Sequence, residues 1–474
     1  MSRPGKQTIV SYAWGMAEKK KPKKNSLPHT RAIQRDRSKR ANSLPPDEEV
    51  VAWMNDIVHP AVYAQIETYY AMGLRARILT LPVMTAFVLG MLWQHLGSVR
   101  EAVRVLREEG MLWMSAVEDV SPQAVLERMS TLPAVLFYQI LLDCLPTLQE
   151  RGRLRQRPQP PAIAWAQPHF SHIWAFDGSV LDGLLKKCGL LAKADKPLLA
   201  GKIGTVLDVV TQMPAHVWYE EHSQAHDQTF WPWIMSVVSA SCLLLLDSGL
   251  LNFAMFDQLT DQKVGFITRP KSNTCMKEVE VLSKTAHVHD TLILLGSSQN
   301  QCRHHMRLVK VLFRGKWYQY LTNILDPNRL PPSCVVALYD QRWRIEDAFN
   351  TVKRLLGLAY FYTGSVNGIQ LQVWATWLLY ALLVDLTDAV AEALNRPFKD
   401  ISLEMVFRAL YHFAQARHKG KQMMWLSIWL KRPKIYPLSS RNESVTICFW
   451  QEENATIGRA KCQHFRLISF LAAV

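Results

Sequence analysis

Four polar side chains near residue 346 have types and spacing suited to chemistry on a phosphate group. In YDQRWRIEDAFNTVKRLLGL, a helical chain brings them within an arc of roughly 60°, and they are Tyr339, Arg342, Glu346 and Lys353. An apolar stripe at helical spacing runs beside them. A carboxylate among cations and a hydroxyl suits metal-assisted chemistry on an anionic substrate. For this helix alone, a solvated face with an Arg342–Glu346 pair is the simpler explanation.

Two more carboxylates end strands that the sequence predicts to be buried. Asp177 lies in WAFDGS and Asp247 lies in LLLLDSG. A strand-end Asp beside Gly is common in turns, but with Glu346 these acids make three oxygen donors from two strands and a helix, which suits a pair of Mg²⁺ ions. Two metals about 4 Å apart can activate the attacking oxygen of a phosphodiester reaction and stabilise the leaving one. We therefore predict that these three acids are catalytic ligands of Mg²⁺, with Mn²⁺ as a substitute.

The composition favours a polyanionic partner. The 474 residues carry a formal net charge of +15 with a pI near 9.4, which points to nucleic acid first and an anionic membrane surface second. The eight cysteines contain no C-x-x-C pair, so we expect reduced thiols in a cytoplasmic protein. The apolar runs are short or interrupted, and we expect buried elements rather than membrane spans.

Patterning divides the chain into seven segments. Residues 1–45 hold twelve Lys and Arg against two acids, which predicts a basic disordered arm that contacts DNA or remains a solvated tail. Helical signals over 46–150 predict a helical DNA-binding domain, and the Arg- and Pro-rich residues 151–164 predict a linker. Strand patterns predict a mixed α/β sheet whose first part covers 165–274, with a β-rich insertion over 275–332. The second part of the sheet domain covers 333–395. Residues 396–474 are predicted to form a largely helical C-terminal region, in which the pattern from Pro433 onward fits either strand or helix.

The spacing of the four polar residues near 346 resembles a known family signature. Tyr339, two residues, Arg342, three residues, Glu346, six residues and Lys353 reproduce the Y-R-E-K signature of bacterial insertion-sequence transposases with a D-D-E triad. FDGS at 176–179 and LLLLDSG followed by GFITRPKSN resemble the two acidic motifs of that family, and WYQYLTNILDP at 317–327 resembles the strand before the signature helix. Family members usually follow the second Asp with Arg-Gly-aromatic, whereas here Ser-Gly-Leu follows, so a contact beside the triad differs.

The resemblance implies a ribonuclease-H-like catalytic core with a β insertion, and cut-and-paste DNA transposition. It makes the three acids the metal ligands and makes Tyr339, Arg342 and Lys353 contacts to transposon-end DNA. It also suggests that Trp317, in RGKWYQY, stacks on a flipped base, although a strand Trp is more often part of a core. The implied partners are double-stranded DNA, namely terminal inverted repeats and target DNA, and a second copy of the chain in a dimer on DNA. The implied location is the cytoplasm, in association with the nucleoid.

Two other functions remain open at the level of the sequence. One is a catalytically inactive, transposase-derived DNA-binding regulator, which the intact acids disfavour. The other is a metal-dependent nuclease that cuts DNA without joining it.

Overall fold

The computed structural model describes residues 48–75, 77–112, 114–117, 119–181, 201–358 and 361–408. The predicted basic arm and most of the C-terminal region lie outside these residues. Helices come first along the chain: α1 Glu48–Ala64, α2 Ile66–Ala71, α3 Leu81–Trp93, α4 Val99–Glu108, α5 Pro122–Thr131, α6 Ala134–Leu154 and α7 Pro161–Ala166. Ser98 and Ser121 cap α4 and α5, because their hydroxyls accept hydrogen bonds from backbone N–H groups of the first turn.

Ten strands form one mixed sheet. They are β1 His172–Val180, β2 Lys202–Asp208, β3 Pro214–Glu220, β4 Cys242–Leu246, β5 Gly265–Thr268, β6 Met276–Lys284, β7 Val288–Ser297, β8 Asn300–Gln301, β9 Met306–Phe313 and β10 Lys316–Thr322. The strand order is β3-β2-β1-β4-β5-β10-β9-β7-β6, with β8 paired to β7. β1, β4 and β5 run parallel to one another, and the other pairs are antiparallel. The predicted mixed α/β class is therefore confirmed.

Both faces of the central strands are covered. CLLLL of β4 is fully buried, as expected for a parallel strand between two layers. On one face, α8 Trp231–Val237 and α9 Phe253–Asp261 contribute to a core with alternate residues of β1, β4 and β5. On the other face, the sheet shares a continuous core with the N-terminal helices and with α10 Pro332–Asp340, α11 Arg344–Asn350 and α12 Val366–Ala393.

The long helix α12 is the central element of that second layer. By length and composition alone it could cross a membrane, but 94% of its most apolar window is buried inside the protein. It packs against α6, α3 and α5. Asn367, at its beginning, accepts a hydrogen bond from the N–H of Ala134 and donates to the carbonyls of Ser130 and Leu132. The apolar run that includes Val373–Val384 is thus a core helix of the described chain.

The Arg-rich segment predicted as a linker is bound to the far end of α12. Arg155 donates to Asp385 at 2.7 Å, and Arg157 forms a buried ion pair with Asp388. Arg157 also donates to the carbonyl of Val210 at 2.8 Å. The arginines of the predicted linker therefore neutralise carboxylates that α12 buries.

The signature segment is helical but not uniform. After α10 it narrows to a 3-10 turn at Gln341–Trp343, continues as α11, and widens to a π-helical turn at Thr351–Leu355. Its apolar stripe is buried as predicted, through Leu338, Ile345 and Val352. Short π-helical turns occur often at functional sites, and this one lies at Lys353.

Candidate active site

The topology brings Asp177 and Asp247 to the same level of the sheet. β1 and β4 are adjacent and parallel, and Phe176 pairs with Leu246, so the residues that follow, Asp177 and Asp247, lie side by side. The Asp177 carboxylate accepts from the N–H of Gly178 at 2.8 Å. The Asp247 carboxylate accepts from the N–H of Gly249 at 3.0 Å. These bonds fix both carboxylates. Only Asp247 directly follows its strand, whereas Asp177, which was predicted to end a strand, lies within β1, because β1 continues to Val180 in its pairing with β2.

The guanidinium of Arg342 joins the three predicted acids. It lies 3.0 Å from Oε1 of Glu346, 3.6 Å from Oδ2 of Asp177 and 3.9 Å from Oδ1 of Asp247. Arg342 is only 4% exposed, and its Nε is buried without a hydrogen-bond partner. One buried cation thus holds three carboxylates that come from β1, from the end of β4 and from α11.

The electrostatics of this centre favour binding of positive charge. The pKa of Asp177 is raised to about 6, mainly by burial and also by the carboxylates of Asp227 and Asp247, although Arg342 and the Gly178 N–H act to lower it. Burial and neighbouring carboxylates make the ionised form of Asp177 unfavourable. An additional cation bound nearby would stabilise that ionised form.

Oxygen donors are what Mg²⁺ and Mn²⁺ prefer, so the chemistry of the donor set fits a divalent cation. In the arrangement described, the Arg342 guanidinium lies where these carboxylates converge. Within the described residues, no three His, Cys, Asp or Glu side chains lie close enough together to hold a metal ion in this arrangement. The assignment of Asp177, Asp247 and Glu346 as metal ligands stays a prediction.

The other residues of the signature lie around this centre. Tyr339 is buried, packs edge-on against Tyr320 at 5.3 Å between ring centroids, and has its pKa raised to about 12 by burial. The Lys353 ammonium donates to the Ser179 hydroxyl at 2.5 Å and to the Val180 carbonyl at 2.6 Å. Lys353 therefore reaches the end of β1, two residues beyond Asp177.

Aromatic side chains near the site differ in where they point. Trp343 is 52% exposed, with the Arg342 guanidinium 4.7 Å from its ring. Trp317 is 45% exposed near the tip of the β9–β10 hairpin. Because side chains alternate along β10 and Tyr320 faces Tyr339, Trp317 leaves the sheet on the opposite face. The strand geometry thus does not place Trp317 on the face that carries the signature helix.

Sequence reasoning missed one acid and one cation beside the triad. Asp227 begins a 3-10 turn at Asp227–Phe230, and its Oδ1 lies 2.7 Å from Nζ of Lys202 at the start of β2. In the sequence, AHDQ resembles an ordinary helix-start segment, so Asp227 carried no signal. The sequence offered one sign of this pair. Lys202 begins the mostly apolar strand KIGTVLDVV, and a lysine at such a position needs an acidic partner.

Comparison with known proteins agrees with this geometry. Residues 202–382 match the transposase DDE domain family. The chain is 26% identical over 182 residues to a putative transposase, y4zB, of Sinorhizobium fredii, covering 37% of this chain and 50% of that protein. It is also 26% identical over 172 residues to a probable transposase for insertion sequence element IS5377 of Geobacillus stearothermophilus, covering 35% and 45%.

The chain is therefore similar to the DDE transposases of bacterial insertion sequences, and the predicted resemblance to that class is confirmed. The chain spans about half the length of the curated relatives it matches. Membership of the Y-R-E-K subgroup stays a prediction. The family match contains Asp247 and Glu346 but begins at β2, so Asp177 is assigned by its place beside them and not by the match.

Proposed function

We propose that the protein is a DNA transposase that hydrolyses phosphodiester bonds at transposon ends and joins the resulting 3′-hydroxyl to target DNA, as in cut-and-paste transposition. The observation that carries this proposal is the convergence of Asp177, Asp247 and Glu346 on one buried guanidinium. The strand arrangement supports a ribonuclease-H-like core, because antiparallel β1–β3 precede parallel β4 and β5 in the order β3-β2-β1-β4-β5.

In this proposal the chain contributes ligands and alignment. Two bound divalent cations would activate the attacking oxygen and stabilise the leaving oxygen. Asp177, Asp247 and Glu346 would hold Mg²⁺ or Mn²⁺. Arg342, Lys353 and the Tyr339 hydroxyl would bind phosphates next to the cut and keep the reacting phosphodiester in line. The same carboxylate centre would serve water in cleavage and a 3′-hydroxyl in joining.

The proposed partners are double-stranded terminal repeats, target DNA and a second copy of the chain assembled on DNA, in the bacterial cytoplasm and in association with the nucleoid. The net charge of +15 supports a polyanionic partner. Trp317, exposed beside Arg314 and Lys316, supports a stacking contact with DNA at the hairpin tip.

The deciding experiment incubates the full chain with Mg²⁺, a supercoiled target plasmid and a donor that carries the DNA flanking its own coding region. Joined products support a transposase, nicks without joining support a nuclease, and binding alone supports an inactive regulator. Asp177→Asn, Asp247→Asn and Glu346→Gln should each abolish cleavage.

Asp347→Asn is the matched control. Asp347 follows Glu346 on the same helix and has a 61% exposed side chain that pairs with Arg344, so it should retain cleavage. If any triad variant cleaves as fast as this control, the corresponding residue does not belong to the catalytic set.

A further inference from the structure

A fourth carboxylate lies next to the triad. An ideal Cβ placed on Gly178 would lie 2.2 Å from Oδ1 of Asp227, so the Asp227 carboxylate rests directly on the residue that follows Asp177. An ideal Cβ on Gly249 would lie 3.7 Å from Oδ2 of Asp227 and 3.5 Å from Oδ2 of Asp247. A glycine thus lies directly after Asp177 and two residues after Asp247, and Asp227 occupies the space near each of these glycines.

Asp227 reaches this position from the side of the sheet opposite α11. Neighbouring residues of a strand point to opposite faces, so Gly178 faces away from Asp177. Its cross-strand partner Gly204 faces Phe230, which belongs to the core beneath α8. The carboxylate of Asp227 lies against β1 at Gly178, where the absence of a side chain leaves room for it. Glu346 and Asp227 therefore approach the strand-end acids from the two faces of the sheet.

Two polar side chains hold this arrangement. Lys202 donates to the Ala225 carbonyl at 2.6 Å and lies 2.7 Å from Oδ1 of Asp227. Gln228 donates to the carbonyls of Gly249 at 3.4 Å and Leu251 at 3.3 Å. The turn that carries Asp227 is thus fastened both to β2 and to the segment after Asp247, and Oδ2 of Asp227 is the oxygen on the side of Gly249.

Buried polar groups beside the acids indicate that the centre is built for a further ligand. Thr205 pairs with Asp177 across β1 and β2 and therefore lies on the same face. It is fully buried, and its hydroxyl has no hydrogen-bond partner. The Nε of Arg342 is likewise buried and unpartnered. Unsatisfied buried polar atoms are rare in native proteins, and both border the same carboxylates.

We propose that Asp227 is a fourth carboxylate of the catalytic centre, which helps Asp177 and Asp247 to bind a divalent cation through Oδ2 while Lys202 holds Oδ1. This inference rests on the proposed function, because it assigns a further ligand to the same site. It accounts for a buried lysine next to a site that must attract cations, since Lys202 neutralises one oxygen of Asp227 and orients the other.

The alternative is that Asp227 only anchors its turn through Lys202. In that case the loss of Asp227 would reduce stability without changing the affinity for metal. The two roles are separated by a binding measurement that needs no catalysis, namely titration of the metal-free full chain with Mn²⁺ alone, followed by electron paramagnetic resonance, with thermal unfolding measured in parallel.

Asp227→Asn should weaken Mn²⁺ binding by about 10–100-fold, the range found when groups that hold or orient a metal are removed. The control is Asp261→Asn. Asp261 is the last residue of α9 and forms exposed ion pairs with Arg303 and His304, so this variant removes the same charge and should leave Mn²⁺ affinity unchanged. The double variant Lys202→Met/Asp227→Asn removes both members of the ion pair, so it leaves no unpaired buried charge. It should fold and still bind Mn²⁺ weakly.

The outcomes distinguish this inference from the proposed function. Weakened binding in Asp177→Asn with unchanged binding in both Asp227 variants overturns the role of Asp227 and leaves the triad intact. Unchanged binding in Asp177→Asn as well as in the Asp227 variants overturns the metal centre itself. Weakened binding in Asp177→Asn and in both Asp227 variants, with the Asp261→Asn control unaffected, supports the inference.

Discussion

Arg342 offers a direct test of the charge balance at the triad. Its guanidinium is the cation nearest to three carboxylates, and Arg342→Met keeps much of the side-chain volume while it removes the charge. Removing one member of a buried ion pair costs about 3–5 kcal/mol, and an exposed pair contributes about 0–1 kcal/mol. The side chains of Asp247 and Glu346 are 43% and 38% exposed, whereas that of Asp177 is 22% exposed. We therefore expect an intermediate loss of about 2 kcal/mol.

The assay is thermal unfolding of the full chain, in chelator and again in saturating MgCl₂. A loss of about 2 kcal/mol lowers Tm by about 4 °C in a large domain. In chelator the variant should show this loss, because the carboxylates repel one another without a cation. In MgCl₂ the loss should shrink, because metal that binds the folded state stabilises it. This stabilisation should be larger in the variant, where Arg342 no longer competes with the metal for the carboxylates.

Arg344→Met is the control on the same helix, because Arg344 pairs with Asp347 at 3.7 Å and lies outside the triad. Its effect on Tm should be the same in chelator and in MgCl₂. If Arg342→Met lowers Tm equally under both conditions, the guanidinium does not stand in for a cation, and the explanation of its burial is wrong.

Two further predictions concern other parts of the chain. Trp317→Ala should weaken binding to transposon-end DNA, measured by fluorescence titration, by about 1–3 kcal/mol, the value of one stacked base, and should leave Tm unchanged. The control Phe313→Ala alters an exposed aromatic on the other face of the same hairpin and should retain affinity in the same titration. Arg157→Met should lower the free energy of unfolding by about 3 kcal/mol, the lower end of the range for a broken buried pair, because the buried Asp388 carboxylate then keeps only its 3.7 Å contact with Arg155. Arg303→Met, in an exposed pair with Asp261, should change it by less than about 1 kcal/mol, as measured by urea denaturation.

The local pattern predicted much of the fold and three members of the site. The aromatic and β-branched run HIWAFDGSVL and the continuous apolar run CLLLL identified β1 and β4. They also identified Asp247, which follows β4, and Asp177, which the sequence placed at the end of a strand and the structure places within β1. Helical periodicity identified the face that carries Glu346. These features depend on residues near one another in the chain, and for that reason a sequence displays them.

What the sequence did not predict depends on contacts between distant segments. Nothing near Asp227 reveals that Gly178 leaves room for its carboxylate, because 49 positions separate the two residues. The prediction of a linker over the Arg-rich segment gave no sign of its ion pairs, because Asp385 and Asp388, which pair with its arginines, lie about 230 positions away. The stacking role predicted for Trp317 came from the family resemblance, whereas the face of the sheet that Trp317 occupies is given by the register of β10.

The attachment of α12 limits how the protein can move. Its beginning is bound to the first turn of α6 through Asn367, and its far end is bound to the segment after α6 through Asp385 and Asp388. Because α6 and α12 are joined at both ends, they cannot move apart without breaking the ion pairs of Arg155 with Asp385 and of Arg157 with Asp388. Arg157, which also donates to the Val210 carbonyl just after β2, ties this pair of helices to the sheet. A rearrangement of α6 and α12 against the sheet would therefore have to break buried charged contacts.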